Sequence, residues 1–285
     1  MNKNVIKTFV FMALLSAVLL WAGTFFSNGI VIMGVVVGLL NFGAFFFSDK
    51  LVVKMTRSRP VTEEEAPWLY RIVRTLTQKA GMPMPKLYVM PASQPNAFAT
   101  GRSPERAVVA VTEGILNVLD EKELEGVLAH ELAHVKNRDV LIGAVAATVA
   151  AAITFIARIA MWGAIFGGGG DDDDGGSPFA AFGTLLFIIL APIAAFLIQM
   201  AVSRSRESQA DRSGAELLGD PTPLANALIK IDAAARNTPV PAVSPAVAHV
   251  FLQNPLRGAK VSRFFMSHPP LEERIAQLRE MGARV

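Results

Sequence analysis

Four long apolar stretches constrain this chain more than any other feature of its sequence. Each reaches the length of about 20 apolar helical residues that spans the hydrocarbon core of a bilayer. They are Val5–Phe26, Gly29–Phe47, Val140–Phe166 and Phe179–Val202. Only 18% of the residues are charged, against roughly 25% in soluble domains. The sequence therefore predicts a mostly α, multi-pass membrane protein with four transmembrane helices, and excludes an ordinary soluble globule or a disordered chain.

The apolar stretches divide the rest of the chain into two pieces of one predicted catalytic domain. In chain order, the predicted organisation is two transmembrane helices (1–47), the first part of the domain (48–139), a transmembrane hairpin (140–202) and the second part (203–285). The first stretch has a cleaved signal peptide as its alternative, but no small-residue cleavage site ends it. An uncleaved anchor is therefore expected.

Lysine and arginine flank the predicted spans on one side only, so both termini and the domain are expected in the cytoplasm. The opposite side receives a loop that contains Asp171–Asp174. That acidic run is either a metal site or a solvated loop, and its flanking glycines favour the loop. Arg158 lies within the third stretch, so either that span ends near Ala157 or the guanidinium snorkels or pairs inside the bundle. An early end is expected.

The sequence His130-Glu131-Leu132-Ala133-His134 carries the most specific chemical signal. It lies in a helix predicted to begin after Asp120, with Glu123 completing a capping box, and to end near Asn137. Histidines four positions apart share a helix face, so both imidazoles can bind one zinc ion, with Glu131 beside them as the base. Two surface histidines on an ordinary helix are the alternative, which the apolar residues before the motif disfavour.

A catalytic zinc site needs a third protein ligand. The helix predicted over Ser203–Leu218 has Glu207 and Asp211 on one face. Glu207 can bind the metal, while Asp211 can accept the second ring N–H of a ligand histidine. A solvated helix of mixed charge is the alternative. The ligand role is favoured because the hairpin 140–202 returns the chain to the end of the histidine helix.

Short elements are predicted on both sides of the motif. Thr62–Glu65 predicts the capped start of an amphipathic helix that ends before Gly81. Strands are predicted over Lys86–Met90 and Arg106–Thr112. Later helices are predicted over Pro221–Ala235 and Leu271–Met281.

Four motifs occur in an order that resembles the HtpX family of bacterial membrane zinc metalloproteases, which is related to the eukaryotic CAAX prenyl protease. They are Asn96–Gly101, His130–His134, Glu207–Asp211 and Ser267–Pro270. The resemblance covers nearly the whole chain. It implies a gluzincin-like α+β domain with a small sheet, in a bacterial inner-membrane protein that cleaves damaged or misassembled membrane proteins under stress. It further implies one zinc ion per subunit, with His130, His134 and Glu207 as ligands and Glu131 as the catalytic base.

Two further sites are expected around the zinc. His268 is the candidate for stabilising the transition-state oxyanion, because Pro269 and Pro270 stiffen its loop. A structural histidine that caps the following helix is the alternative.

An edge strand is expected above the zinc, formed by Asn96, Ala97, Phe98 and Ala99. Such a strand holds an extended peptide through main-chain hydrogen bonds, so the substrate must be unfolded. The alternative is that Asn96 only makes a turn after Pro95.

Three functional classes are consistent with these features. The first is a zinc endopeptidase that cleaves unfolded or membrane proteins; the second is a narrow-specificity prenyl-peptide peptidase; the third is a non-catalytic membrane scaffold. The intact Glu131 disfavours a scaffold. Four spans enclose less space than the larger helix bundle of the prenyl protease branch, which disfavours the narrow-specificity peptidase. Nucleic acid is not expected as a partner, because the basic residues flank membrane spans and suit lipid headgroups.

Overall fold

The computed structural model describes residues 53–54, 56–101, 103–139, 206–238 and 270–283, with scattered positions between 6 and 39. Among these residues, no helix is both long and apolar enough to cross a bilayer. The third and fourth apolar stretches, Arg158, Asp171–Asp174 and His268 lie outside the described residues. The described part of the chain is mostly helical with a small mixed sheet.

The sheet has four short strands in the order β1-β2-β4-β3. They are β1 (Arg59–Pro60), β2 (Lys86–Met90), β3 (Ala97–Thr100) and β4 (Val108–Thr112). β2 and β4 pair in parallel, whereas the two outer pairings are antiparallel. The predicted β2 is confirmed at both ends, but β4 begins two residues later than predicted because a 3-10 turn occupies Pro104–Arg106.

Six helices surround or follow the sheet in the described residues. They are α1 (Pro67–Ala80), α2 (Glu113–Val118), α3 (Glu121–Asn137), α4 (206–218), α5 (Thr222–Asn237) and α6 (Leu271–Gly282). α3 contacts α1, α5 and β3, and α5 also contacts α6. Eight large side chains at the centre of this packing are less than 2% exposed: Leu69, Leu76, Ile115, Leu128, Leu132, Leu224, Leu228 and Ile231.

The start of α1 differs from its predicted capped form. Thr62 and Glu65 do exchange the expected hydrogen bonds, at 2.9 and 3.4 Å, but they do so in a turn before the helix. The helix itself begins at Pro67, whose missing N–H and fixed φ suit the first helical position. Gly81 ends the helix as predicted, in the left-handed conformation at φ 65°.

The helix that carries the histidines is confirmed from end to end. The Asp120 carboxylate accepts the Glu123 amide at 3.0 Å, and the Glu123 carboxylate accepts the Asp120 amide at 3.0 Å. Both bonds together form the predicted capping box. At the other end, Arg138 takes the left-handed conformation at φ 60° and stops the helix after Asn137. This helix is therefore anchored at both ends around its central motif.

Candidate metal centre

Three side chains from two helices converge on one point. The Nε2 atoms of His130 and His134, on α3, lie 3.2 Å apart. Glu207, in the first turn of the described part of α4, places one carboxylate oxygen 3.5 Å from His134 Nε2 and the other 3.7 Å from His130 Nε2. His130 is 1% and Glu207 is 6% exposed. Two imidazole nitrogens and a carboxylate at such separations can hold one metal ion.

His130 is backed by an ionic chain that reaches the last helix. Its Nδ1 lies 2.9 Å from Asp211 Oδ1. The Arg274 guanidinium, on α6, donates two hydrogen bonds to the Asp211 carboxylate at 2.7 and 2.8 Å. Burial by itself raises the pKa of Asp211, but Arg274 and His130 outweigh it and hold the pKa well below its usual range. Asp211 is therefore charged and lies next to His130 Nδ1.

His134 has a second carboxylate partner of its own. Its Nδ1 lies 3.0 Å from Asp139 Oδ2, and Asp139 is 2% exposed. Burial lowers the pKa of His134, but the hydrogen bonds to Asp139 and Glu207 outweigh that effect and raise the pKa to about 10. The surrounding carboxylates therefore favour a positive charge at this point, which a bound cation would supply.

Glu131 lies beside the three candidate metal ligands but is not one of them. Its Oε2 accepts a hydrogen bond from the backbone N–H of Ala99, on β3, at 2.8 Å. Burial raises the pKa of Glu131 above its usual range, although both histidines and the Ala99 amide act in the opposite direction. A buried carboxylate with a raised pKa, held next to a metal site, has the properties of a general base.

β3 lies at the edge of the sheet in the described part of the chain, directly over α3. Its register with β4 turns the amide and carbonyl of Ala97 and Ala99 away from β4, as the hydrogen bond from Ala99 to Glu131 demonstrates. Asn96 is fully buried and pairs with Thr112, and Phe98 packs on the opposite face of the sheet. Ala97 is 1% exposed, whereas Ala99 is half-buried.

The structure thus brings together His130, Glu131, His134, Glu207 and Asp211, all of them predicted from sequence. It adds two residues that sequence reasoning missed, Asp139 and Arg274. Arg274 could have been found, because it lies three and four positions from Leu271 and Leu278 on the inward face of an amphipathic helix. Asp139 gave a weaker signal, because its approach to His134 depends on the turn at Arg138.

A close helix contact positions α4 on α3 at the metal centre. A Cβ atom on Gly214 would lie 2.9 Å from both the Cα and the N of His130. Gly214→Ala should therefore push α4 away from α3 and displace Glu207 and Asp211, since backbone atoms cannot turn aside. We expect a loss of about 1–3 kcal/mol in stability and weaker metal binding.

This prediction is checked by the apparent unfolding temperature and the metal content of the purified protein. Arg212→Ala, at an exposed position of the same helix, is the matched control. An alanine variant at position 214 with the unfolding temperature and metal content of the parent would refute the close-contact argument.

Known proteins are similar to this chain over most of its length. A family model described as Peptidase family M48 matches residues 63–282. A protease HtpX homolog from Pelotomaculum thermopropionicum is 51% identical over 281 residues, covering 98% of this chain and 99% of that protein. Another, from Aquifex aeolicus, is 48% identical over 259 residues and covers 90% and 85%.

A solved structure shares the fold. The crystal structure of S. mikatae Ste24p matches with a TM-score of 0.57 at 21% identity, over 87% of this chain and 57% of that one. At that identity the likeness concerns the fold alone. Because the family model spans most of the sequence and the relatives match it nearly end to end, the chain belongs to peptidase family M48 and is a metalloprotease of the HtpX type.

Proposed function

We propose that this protein is a membrane-embedded, zinc-dependent endopeptidase with His130, His134 and Glu207 as its zinc ligands. The observation that carries the proposal is the convergence of these three donors beside Glu131. Tetrahedral zinc with bonds of about 2.0–2.1 Å keeps its ligand atoms roughly 3.3–3.4 Å apart. The two imidazole nitrogens lie 3.2 Å apart, and one Glu207 oxygen lies 3.5 Å from His134 Nε2, which is close to that spacing.

The proposed reaction is hydrolysis of a peptide bond. His130, His134 and Glu207 would hold the zinc ion, which would supply a Lewis acid for the scissile carbonyl and would lower the pKa of a water molecule toward ~7. Glu131 takes a proton from the attacking water and returns it to the leaving amine. The Ala99 N–H holds one oxygen of that carboxylate in place, which leaves the other oxygen for proton transfer.

We retain the roles expected from sequence for two residues near the ligands, Asp211 and His268. Asp211 orients His130 by accepting a hydrogen bond from its Nδ1–H, and the salt bridge to Arg274 supports that position. His268 lies outside the described residues, and we retain it as the candidate for stabilising the oxyanion. It lies two positions before Pro270, the residue at which α6 is capped.

Unfolded polypeptide is the proposed substrate. The edge strand at Asn96, Ala97, Phe98 and Ala99 can pair with an extended chain through main-chain groups that point away from β4. The outward carbonyl of Ala99 is the most accessible of these groups, because Ala97 is buried. Pairing of this kind selects an extended conformation and tolerates many side chains.

The membrane setting is supported by apolar residues that the fold does not bury. In the first two apolar stretches, large side chains at helical positions are between 37% and 70% exposed: Ile6, Val10, Leu20, Val31, Val35 and Leu39. Such residues suit contact with lipid. We therefore propose an inner-membrane protease with a cytoplasmic active site, which removes misfolded or damaged membrane proteins in quality control and the stress response.

Substrate conformation gives a direct test. The detergent-solubilised full chain is purified with a chelator and then supplied with zinc. It should cleave reduced and carboxymethylated ribonuclease roughly tenfold or more faster than it cleaves native ribonuclease, because proteolysis follows the unfolded population. Fragment yield on gels measures the difference. Equal cleavage of both forms would contradict the edge-strand proposal, and cleavage of a prenylated peptide alone would identify the narrow-specificity peptidase instead.

A further inference from the structure

A turn with an uncommon backbone conformation places Asp139 next to His134. After α3 ends at Asn137, Arg138 takes φ 60°, a left-handed conformation that is uncommon for a residue other than glycine. Its backbone N–H donates to the Val135 carbonyl at 3.1 Å. This turn directs the chain back along the helix, so that Asp139 faces His134 Nδ1 at 3.0 Å.

Asp139 is in turn held by a residue distant in sequence. The Arg206 guanidinium donates to the backbone carbonyl of Asp139 at 2.6 Å, across 67 positions of the chain. Arg206 directly precedes the metal-ligand candidate Glu207. The contact therefore joins the two described residues that flank positions 140–205, next to His134 and Glu207.

We propose that Asp139 and Arg206 form a clamp that positions His134 for metal binding. Asp139 fixes the ring orientation and the protonated nitrogen of His134, as carboxylate partners do at other metal sites. Arg206 acts through Asp139 by holding the backbone of the turn. The inference rests on the proposed zinc site. It predicts that zinc affinity depends on the contact between Arg206 and Asp139.

Zinc affinity of the detergent-solubilised full chain, measured by competition with a chelator, tests the clamp. Asp139→Ala should weaken zinc binding by about 10–100-fold. Arg206→Ala should weaken it less, and the double variant should bind no more weakly than Asp139→Ala, because Arg206 acts through Asp139. Lys136→Ala, which removes an exposed charge from the same helix, should leave the affinity unchanged.

Two further readouts separate positioning from general stability. The absorption spectrum of the cobalt-substituted protein should change in Asp139→Ala, because the ligand field depends on the orientation of His134. Asp139→Asn keeps an oxygen that accepts the ring N–H, and Arg206→Lys keeps one donor, so each should recover part of the affinity. The unfolding temperature of the zinc-free protein should be similar in all variants.

The result that overturns the clamp is parental zinc affinity and an unchanged cobalt spectrum in both alanine variants. A fall in the zinc-free unfolding temperature that accounts for the lost affinity would also overturn it, in favour of a purely structural role. His134→Ala distinguishes a failure of the proposed clamp from a failure of the proposed zinc site. If it loses zinc while the clamp variants do not, only the clamp is wrong; if it also keeps full affinity, the proposed zinc site is wrong.

Discussion

Glu131→Gln is expected to reduce proteolysis by about 10³-fold or more. It removes the proposed acceptor for the proton of the attacking water, and loss of a general base typically costs ~10²–10⁴-fold. Glutamine has nearly the same shape, and its carbonyl oxygen can still accept the hydrogen bond from Ala99. The amide cannot take up a proton. Zinc binding should therefore stay near one ion per chain while cleavage is lost.

The measurement pairs zinc content with the rate of casein cleavage for the parent and the variant, both purified under chelation to limit self-digestion. Glu125→Gln, on the same helix and outside the metal centre, is the control for the chemical change. Substantial cleavage by Glu131→Gln would show that another group acts as the base. If neither parent nor variant cleaves although both bind zinc, the prenyl-peptide and scaffold functions gain support.

Glu207→Ala is expected to weaken zinc binding severely and, without added zinc, to abolish proteolysis. It removes one of three protein donors and leaves the two histidines without the carboxylate that completes the site. The loss in zinc affinity should exceed the ~10–100-fold that outer partners of a metal site typically contribute. Activity should return only in part when excess zinc is added, because the site has lost its geometry as well as a charge.

Zinc affinity by chelator competition, followed by cleavage at saturating zinc, checks this expectation. Glu216→Ala is the matched control, because it removes an exposed carboxylate about two and a half turns further along the same helix. Parental zinc affinity in Glu207→Ala would eliminate Glu207 as the third ligand. The ligand would then have to come from elsewhere in the chain, with the histidine pair retained.

Local sequence signals predicted where the helices and strands of this domain lie more accurately than which residues they contact. The capping box at Asp120 and Glu123 defined the start of α3, and the left-handed residue Gly81 ended α1 where predicted. α1 began late because Pro67, rather than the capping pair before it, suits the first helical position. These features depend on hydrogen bonds and backbone angles within a few residues, so the sequence contains nearly all the information needed.

The sequence by itself determined the chemistry of the site. Histidines at positions i and i+4 share a helix face, and the i+1 carboxylate lies on the adjoining face, whatever surrounds the helix. Glu207 and Asp211 followed from the same periodicity on a second helix. Only the tertiary structure decided which distant groups meet: Arg274 with the Asp211 carboxylate across 63 positions, and Arg206 with the Asp139 backbone carbonyl across 67. Pairing over such distances is set by how helices pack and by the cost of leaving a buried charge without a partner, which no local pattern encodes.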